Sequence, residues 1–155
     1  MRDLLKKEKG FTLIEIVLVL AIAGLLLVIV FLAVSGAQKS RRDSQRKNDL
    51  SRIAAQLESF ASNKTGCYPG GAAPCLAADT WAAFWASNYI TGGNFNDPTT
   101  GAAYANGGAV AAAPAAPATG TVYYRVGFAC DGTAIGRGYA VYMGLEQGLN
   151  CRDNK

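Results

Sequence analysis

The stretch K-G-F-T-L-I-E at residues 9–15 decides the fold of the amino-terminal part of the chain, because a charged leader ends there and a hydrophobic run begins. From Ile16 to Val34 no side chain is charged or polar. At about 1.5 Å of rise per residue, a helix over this run would be about 28 Å long, and the apolar core of a bilayer is ~30 Å thick. The sequence therefore predicts a membrane-spanning helix over residues 11–35.

Glu15 is a lone carboxylate at the start of this run. A charged group within a membrane segment disfavours insertion by roughly 2.5–3.5 kcal/mol unless a partner neutralises it. Glu15 lies five positions after Gly10, a plausible cleavage point, so the α-amino group freed at Phe11 is a natural partner. Such an amine has an ordinary pKa of about 7.7–8.0 and is largely cationic at neutral pH. The alternative is that Glu15 simply extends towards the lipid headgroups.

This arrangement closely resembles the amino terminus of type IV pilins and their pseudopilin relatives, specifically over residues 9–35 and more loosely beyond. In that family a membrane protease, the prepilin peptidase, cuts after the glycine and methylates the new terminal phenylalanine. The resemblance implies that residues 1–10 are a prepilin leader peptide ending at Gly10. It also implies that Phe11 becomes the N-methylated first residue and that Glu15 acts in assembly by pairing with the terminal amine.

A conventional secretory signal is the competing interpretation of the run. The small residues of Ala33-Val34-Ser35 and Ser35-Gly36-Ala37 have the spacing that signal peptidase cleaves. However, the hydrophobic stretch is longer than the usual ~7–15 residues. This interpretation also leaves the residues from Gly10 to Glu15 unexplained.

The distribution of basic residues gives a conflicting indication of topology. Six follow the run and four precede it, so the positive-inside rule weakly favours a cytoplasmic carboxyl side. The peptidase motif instead requires a cytoplasmic amino terminus, and the four cysteines, which lie in the globular part predicted for residues 64–155 (the head), fit an exported domain better. We therefore expect a single-pass membrane protein with its head outside, which later becomes part of an extracellular filament. The six residues are Lys39, Arg41, Arg42, Arg46, Lys47 and Arg52.

Residues 36–63 are predicted to continue the helix as its amphipathic half. Apolar residues recur there at helical spacing, and no proline occurs before Pro69, so one helix from about 12 to about 63 would be ~75 Å long. Many members of the family have a proline in the hydrophobic half where the helix can melt; here such melting would depend on Gly24. The basic residues of this half predict a solvated or headgroup-contacting face, and DNA is a minor alternative partner. The apolar positions are Leu50, Ile53, Ala54, Leu57, Phe60 and Ala61.

Residues 64–155 predict a small globular head. A short helix capped by Asp79 or Thr80 would place several aromatic side chains in the core. Residues 96–101 have strong turn chemistry, and residues 102–120, rich in alanine, glycine and proline, predict a surface loop. Two alternating strands follow, joined through Asp131-Gly132 into an antiparallel hairpin. The aromatic residues are Trp81, Phe84, Trp85 and Tyr89; the strand residues are Val122, Tyr124, Val126 and Phe128, then Tyr139, Val141, Met143 and Leu145.

The expected fold class is therefore α+β, a long amino-terminal helix packed on a small antiparallel sheet. This is the pilin fold, so the residue patterns and the resemblance agree. The segment from Asp97 to Gly101 is also similar to the head of major pseudopilins, in which a calcium ion occupies a nearby loop. Asp97 and Asp131 are the only acidic residues between 80 and 145, too few for a dedicated calcium site, so no cofactor or metal is expected.

The chain has four cysteines, all in the head: Cys67, Cys75, Cys130 and Cys151. An even count in a small exported domain indicates two disulfides, with three possible pairings. Loop lengths favour Cys67–Cys75 and Cys130–Cys151, and the second pair resembles the disulfide that closes the carboxyl-terminal loop of many pilins. A zinc site is the alternative, but the cysteines lack C-x2-C spacing and the chain has no histidine.

The sequence favours no enzymatic function. Without histidine there is no Ser-His-Asp or Cys-His arrangement, and no P-loop or dinucleotide glycine pattern occurs. Asn63-Lys64-Thr65 fits a glycosylation triplet, which is common by chance. We therefore predict a structural subunit of a surface filament.

Its expected partners are further copies of the chain, the prepilin peptidase, the inner-membrane pilus assembly machinery and, before assembly, the lipid bilayer. One alternative function is that of a pseudopilin of a secretion or DNA-uptake apparatus. The other is that of a membrane-anchored or secreted binding domain.

Overall fold

The computed structural model describes residues 10–72 and 75–155, so the predicted leader lies outside the described residues except for Gly10. Helix α1 runs from Leu13 to Asn63 without interruption, as predicted. The chain divides into two compact units, Met1–Gln38 and Lys39–Lys155. The first unit contributes the apolar half of α1, and the second, the head, contains the rest of α1 and all other elements.

The head is built on the amphipathic half of α1. Leu50, Ile53 and Leu57 are fully buried and pack with Val122 and Val141 in one hydrophobic core. The helical spacing of the apolar residues thus brings one face of α1 onto the sheet, as the pattern predicts. The long helix on a small, mostly antiparallel sheet is a pilin-like α+β fold, which confirms the predicted fold class.

Two short helices follow the first disulfide loop: α2, Trp81–Ala86, and α3, Asn88–Thr91. Thr80 caps α2, because its hydroxyl accepts a hydrogen bond from the N–H of Ala83 at 3.1 Å. The sequence predicted one helix here, whereas the chain becomes extended at Ser87 and starts a second turn. The aromatic side chains still reach the core, where the ring of Trp81 stacks on that of Tyr124 with centroids 4.5 Å apart.

The sheet has four strands in the order β1-β2-β3-β4: Ala105–Ala109, Thr121–Phe128, Ala134–Leu145 and Gly148–Asp153. Strands β2 and β3 form the predicted antiparallel hairpin, with Tyr124 opposite Val141. Strand β4 pairs antiparallel with β3, and β1 pairs parallel with β2. The outer strands β1 and β4 were not predicted.

Strand β1 corrects the prediction that residues 102–120 form only a surface loop. Its sequence, A-N-G-G-A, has low strand propensity, so its place depends on tertiary contacts. The Oδ1 atom of Asn106 accepts hydrogen bonds from the indole N–H of Trp81 at 2.6 Å and from the N–H of Gly108 at 2.9 Å. Asn106 thereby links the edge strand β1 to α2 through a side-chain hydrogen bond.

Part of the same alanine-rich segment packs on the sheet. Thr119 forms a bridge with Gly144 of β3, and the carbonyl of Ala118 lies so close to Gly144 that a side chain there would collide with it. The hydroxyl of Tyr123 accepts a hydrogen bond from the N–H of Ala118 at 3.3 Å. The segment therefore covers β3 although it has few large apolar side chains.

Candidate functional site

The apolar half of α1 exposes its hydrophobic side chains on every side. The large side chains from Leu13 to Val34 are between 46% and 82% exposed, and Phe11 is 83% exposed. This helix is long and apolar enough to cross a membrane, and none of its most apolar window is buried within the protein. Such a surface is stable only when lipid or other apolar helices cover it.

Glu15 lies at the start of this surface and closes the first turn of α1. Its Oε2 atom accepts hydrogen bonds from the backbone N–H and the hydroxyl of Thr12, both at 2.8 Å. In return, the N–H of Glu15 donates to the hydroxyl of Thr12 at 3.3 Å. This reciprocal pattern is a capping box, in which two side chains satisfy backbone groups that the helix leaves unpaired.

Thr12 is a site residue that the sequence analysis missed, although the T-L-I-E spacing is the capping-box signature. The structure places Gly10 and Phe11 directly before the cap, both exposed. A peptide bond between two exposed residues outside the helix is accessible to a protease. The carboxylate of Glu15 and the residue that would become the new terminus thus lie within one helical turn.

A second constellation, the Arg46 cluster, lies within the head and consists of Arg42, Asp43, Arg46, Asp97 and Glu146. The guanidinium of Arg46 is fully buried and binds both carboxylate oxygens of Asp97, with N–O distances of 2.8 and 3.0 Å. It also donates to Asp43 at 3.0 Å and to Glu146 at 3.1 Å. Arg42 adds two hydrogen bonds to Glu146, at 2.6 and 2.8 Å.

The Arg46 cluster joins α1 to two distant turns of the head. Asp97 accepts a hydrogen bond from the backbone N–H of Thr99 at 2.7 Å, which fixes the turn after Pro98. Asp43 accepts from the backbone N–H groups of Glu146 and Gln147, at 3.0 and 3.1 Å, in the turn between β3 and β4. The cluster therefore holds α1 against both turns through buried charges, each of which has an ionic partner.

This geometry corrects, for two of the six basic residues after the run, the prediction that they form a solvated or headgroup-contacting face. Arg46 lies inside the head, and Arg42 is half-buried against Glu146. The sequence contained a signal for this, because Asp43 and Arg46 continue the i, i+3, i+4 spacing of Leu50 and Ile53. A charged residue in register with an apolar face is buried with that face, provided that it finds partners.

The ion pairs shift the pKa values of Arg46, Asp97 and Glu146 in the direction that keeps these groups charged. Burial alone would lower the pKa of Arg46, but its hydrogen bonds to three carboxylates outweigh burial and raise it. Burial would raise the pKa of Asp97, but the bonds from Arg46 leave it lowered. The bond from Arg42, with a further one from Arg46, lowers the pKa of Glu146 to about 2.

The presence of two disulfides in the head is confirmed. The structure joins Cys67 to Cys75 and Cys130 to Cys151, with Cα–Cα distances of 5.3 and 5.9 Å, and these are the pairs that loop length favoured. The second disulfide ties β4 to the loop that leaves β2. There the N–H of Cys130 also donates to the carboxylate of Asp153 at 2.7 Å.

The other residues considered as sites have structural partners. Asp97, near which a calcium loop was considered, binds Arg46, and Asp131 pairs with Lys155 at 2.7 Å. Among residues 10–72 and 75–155, no group of three or more acidic, histidine or cysteine side chains could hold a metal ion. Asn63, the glycosylation candidate, is exposed and donates to the hydroxyl of Tyr89 at 2.7 Å.

Comparison with known proteins identifies the amino-terminal segment. Residues 5–31 match the family described as the prokaryotic N-terminal methylation motif. No curated protein and no solved structure matches the chain. The motif is the class III prepilin signal, typical of type IV pilins and pseudopilins, and it implies processing by prepilin peptidase and an assembly machinery. The matched motif and the pilin-like α+β fold of the head are together typical of structural pilin-like subunits.

Proposed function

We propose that the chain is a structural subunit of a type IV pilus-like surface filament and polymerises through the apolar half of α1. Prepilin peptidase cleaves after Gly10 and methylates the new terminus at Phe11. Before assembly the subunit is anchored in the inner membrane by one span, with its amino terminus in the cytoplasm and its head outside. Assembly then transfers the same apolar surface from lipid to neighbouring copies.

The exposure of the apolar half of α1 is the observation that carries this proposal. A membrane anchor and a subunit of a helical filament both need an apolar surface that can be covered from all sides, first by lipid and then by neighbouring helices. The side chains around the whole circumference from Leu13 to Val34 meet that requirement. The methylation motif at the head of the same helix supports the same function.

Glu15 would orient each subunit as it joins the filament. In the unprocessed chain its carboxylate binds Thr12 through one oxygen, Oε2. The second oxygen can accept a hydrogen bond from the terminal amine of an incoming or neighbouring copy. Pairing the two charges removes the large unfavourable free energy that each would have alone in an apolar surrounding.

The disulfides support the proposed topology of the head. Disulfides persist in oxidising compartments and are rare in the cytoplasm. A head that contains Cys67–Cys75 and Cys130–Cys151 therefore fits an exported domain. The test is alkylation of native protein without reductant, in which all four cysteines should resist modification; four reactive thiols would reverse the proposed orientation.

Filament yield from Glu15 variants tests the proposed function. We expect Glu15→Val to accumulate in the membrane at least as well as wild type, because a costly charge is removed, yet to give few or no filaments as the only subunit. Glu15→Gln keeps the shape and loses the charge, so it should show the same defect. Glu58→Gln removes a carboxylate from the exposed face of the same helix and serves as the matched control.

Electron microscopy of sheared surface material, with peptide mass spectrometry of any filaments, gives the readout. Normal filaments from Glu15→Val would contradict the assembly role. Short filaments that contain the chain but stay within the cell envelope would indicate a pseudopilin instead. Filament-free cells with the wild-type head at the surface would indicate an anchored binding domain.

A further inference from the structure

In the described part of the head, every acidic side chain has a partner, whereas several basic side chains form no ion pair. Residues 39–155 include eleven lysine or arginine and eight aspartate or glutamate residues. Every one of the eight carboxylates is paired with a cation or accepts a hydrogen bond within the head. The carboxylates are those of Asp43, Asp49, Glu58, Asp79, Asp97, Asp131, Glu146 and Asp153.

Six cations of the described head form no ion pair with a carboxylate, and three of them lie within its first nine residues. These three are Lys39, Arg41 and Lys47, all exposed. Of the other three, Arg125 lies over the ring of Phe128. The unpaired charge is therefore concentrated at the end of the head that adjoins the apolar run.

Lys39 and Arg41 follow the last apolar residue of the run, Val34, by five and seven positions in a continuous helix. At about 1.5 Å per residue these intervals amount to about 7.5 and 10 Å. A layer of headgroups about 5–8 Å deep covers each face of the hydrocarbon core. The long side chains of lysine and arginine can reach back into that layer while their apolar stems stay near the acyl chains.

We propose that Lys39 and Arg41 bind the phosphates of anionic phospholipid headgroups in the leaflet from which the head emerges, before the subunit enters a filament. The inference rests on the membrane anchoring in the proposed function. Lys47 lies about 20 Å beyond Val34 by the same measure and contributes only through longer-range attraction. Lipid contact therefore concerns two of the six basic residues, not the whole segment.

Anionic lipid is favoured over a second copy of the chain because most carboxylates of the described head are already neutralised by ion pairs within it. Each acidic side chain in residues 39–72 and 75–155 already has a hydrogen-bonding or ionic partner, and six of the eight are ion-paired, so they offer an incoming head little uncompensated negative charge. Lipid is favoured over DNA by position, since both cations lie within about 10 Å of a surface that is embedded in a bilayer. Lys39 and Arg41 lie on opposite sides of the helix, because they are two positions apart. Lipids can bind both side chains, since lipids surround a membrane anchor on all sides.

Photo-crosslinking in vesicles tests the proposal with the full chain. The vesicles contain equal amounts of phosphatidylcholine and phosphatidylglycerol, one of which carries a photoactivatable headgroup, and adducts are mapped by peptide mass spectrometry. We expect adducts around residues 36–44 to form about fivefold more with the glycerol headgroup, the preference typical of one cation near an anionic surface. Lys39→Gln with Arg41→Gln should equalise the two headgroups there.

Arg137→Gln with Arg152→Gln is the matched control, because it removes the same charge from exposed, unpaired positions elsewhere in the head. Unchanged preference in the Lys39/Arg41 variant, or an equal loss in the control, would overturn the proposal. A duplex DNA that is retained by wild type and lost only in the Lys39/Arg41 variant, without a lipid preference, would also overturn it and assign the site to nucleic acid.

A second probe separates this inference from the proposed function. A photoactivatable acyl chain should label residues 16–34 in wild type and in both variants, because anchoring needs only the apolar run. Absence of acyl-chain labelling would contradict the membrane anchoring itself. Acyl labelling with equal headgroup labelling in wild type would overturn only the lipid preference.

Discussion

Arg46 shows how one charged residue can organise the interior of a small head. Its side chain is fully buried, and three carboxylates surround it. Buried ion pairs add little net stability over apolar packing, but removing one partner leaves the others unpaired and is strongly destabilising. The residue is therefore more important for the integrity of the head than its place in a basic segment would indicate.

We predict that Arg46→Ala lowers the free energy of unfolding of the head by about 3–5 kcal/mol, because Asp43, Asp97 and Glu146 lose their common cation. Arg46→Lys should also destabilise, since an ammonium cannot reproduce the two parallel bonds to Asp97. Urea unfolding of the detergent-solubilised chain, followed by tryptophan fluorescence, measures the change, because both tryptophans lie in the head.

Arg41→Ala is the matched control for this experiment. Arg41 is exposed on the same helix, so its removal should change stability by about 0.5 kcal/mol or less. A loss of less than about 1 kcal/mol for Arg46→Ala would show that the cluster is dispensable for stability.

Also at the scale of single residues, we predict that Gly10 and Phe11 define the mature terminus. The intact mass of the protein from its native host should correspond to a chain that begins at N-methylated Phe11. Gly10→Val should block cleavage, because the resemblance places Gly10 at the cut. Gly24→Ala is a fair control, since nothing lies within 4 Å of the added carbon and the site is remote from the cut.

A terminus at Gly36 or Gln38 would instead show that signal peptidase removes the apolar run. It would contradict the role proposed for Glu15. It would also leave the head without its anchor.

At the scale of elements, those with regular spacing could be predicted from the sequence. The apolar face of α1 and the alternating residues of β2 and β3 bury the side chains that their periods indicate. Strand β1 could not be predicted, because its alanine and glycine residues acquire strand geometry only through Asn106 and the neighbouring β2. Strand β4, G-L-N-C-R-D, has no clear alternation and depends on pairing with β3.

The two candidate sites also differ in how well a local sequence pattern predicts them. Glu15 and the cleavage point are local in sequence, so a short motif predicts them. The Arg46 cluster brings together residues that are 51 and 100 positions apart, and no local pattern reports such pairs. Only the position of Arg46 on an apolar face could have indicated its burial.

The prediction at the scale of elements concerns strand β4 and the disulfide that holds it. We expect Cys130→Ser with Cys151→Ser to lower the stability of the head by about 3 kcal/mol in the chain-entropy model, because the disulfide closes a loop of 21 residues. Cys67→Ser with Cys75→Ser, which opens a loop of 8 residues, should cost about 2.5 kcal/mol and serves as the comparison.

Hydrogen exchange should locate the two effects. The first variant should lose protection in β4, and the second should lose it mainly around residues 66–72. Unchanged protection of β4 in the first variant would show that its pairing with β3 suffices.

At the scale of the whole head, acid should weaken the structure through its carboxylates. The pKa of Glu146 is lowered from 4.5 to about 2, and that of Asp97 is also lowered. A group whose pKa is lower in the folded state stabilises the fold above its unfolded pKa, and this contribution is lost as the pH falls through the folded value. We therefore predict constant stability from pH 7 to about 5 and a decline between about 4.5 and 2.

Glu146→Gln should make this decline shallower, whereas Glu58→Gln, which leaves the Arg46 cluster intact, should keep it. Urea midpoints of the solubilised chain across this pH range provide the measurement. An equally steep decline in Glu146→Gln would show that other carboxylates govern the acid response.

The span of the Arg46 cluster along the chain has a consequence for the order in which the head forms. Arg46 enters the growing polypeptide early, whereas its partner Glu146 arrives 100 residues later. Contacts of such high sequence separation form slowly, since most of the chain must be ordered before they can close. If the head is exported amino end first, as proposed, Arg46 stays hydrated until the segments that carry Asp97 and Glu146 have crossed the membrane. Chains that lack the segment around Glu146 consequently leave the Arg46 cluster with one carboxylate too few, so the cluster is complete only when that segment has folded onto α1.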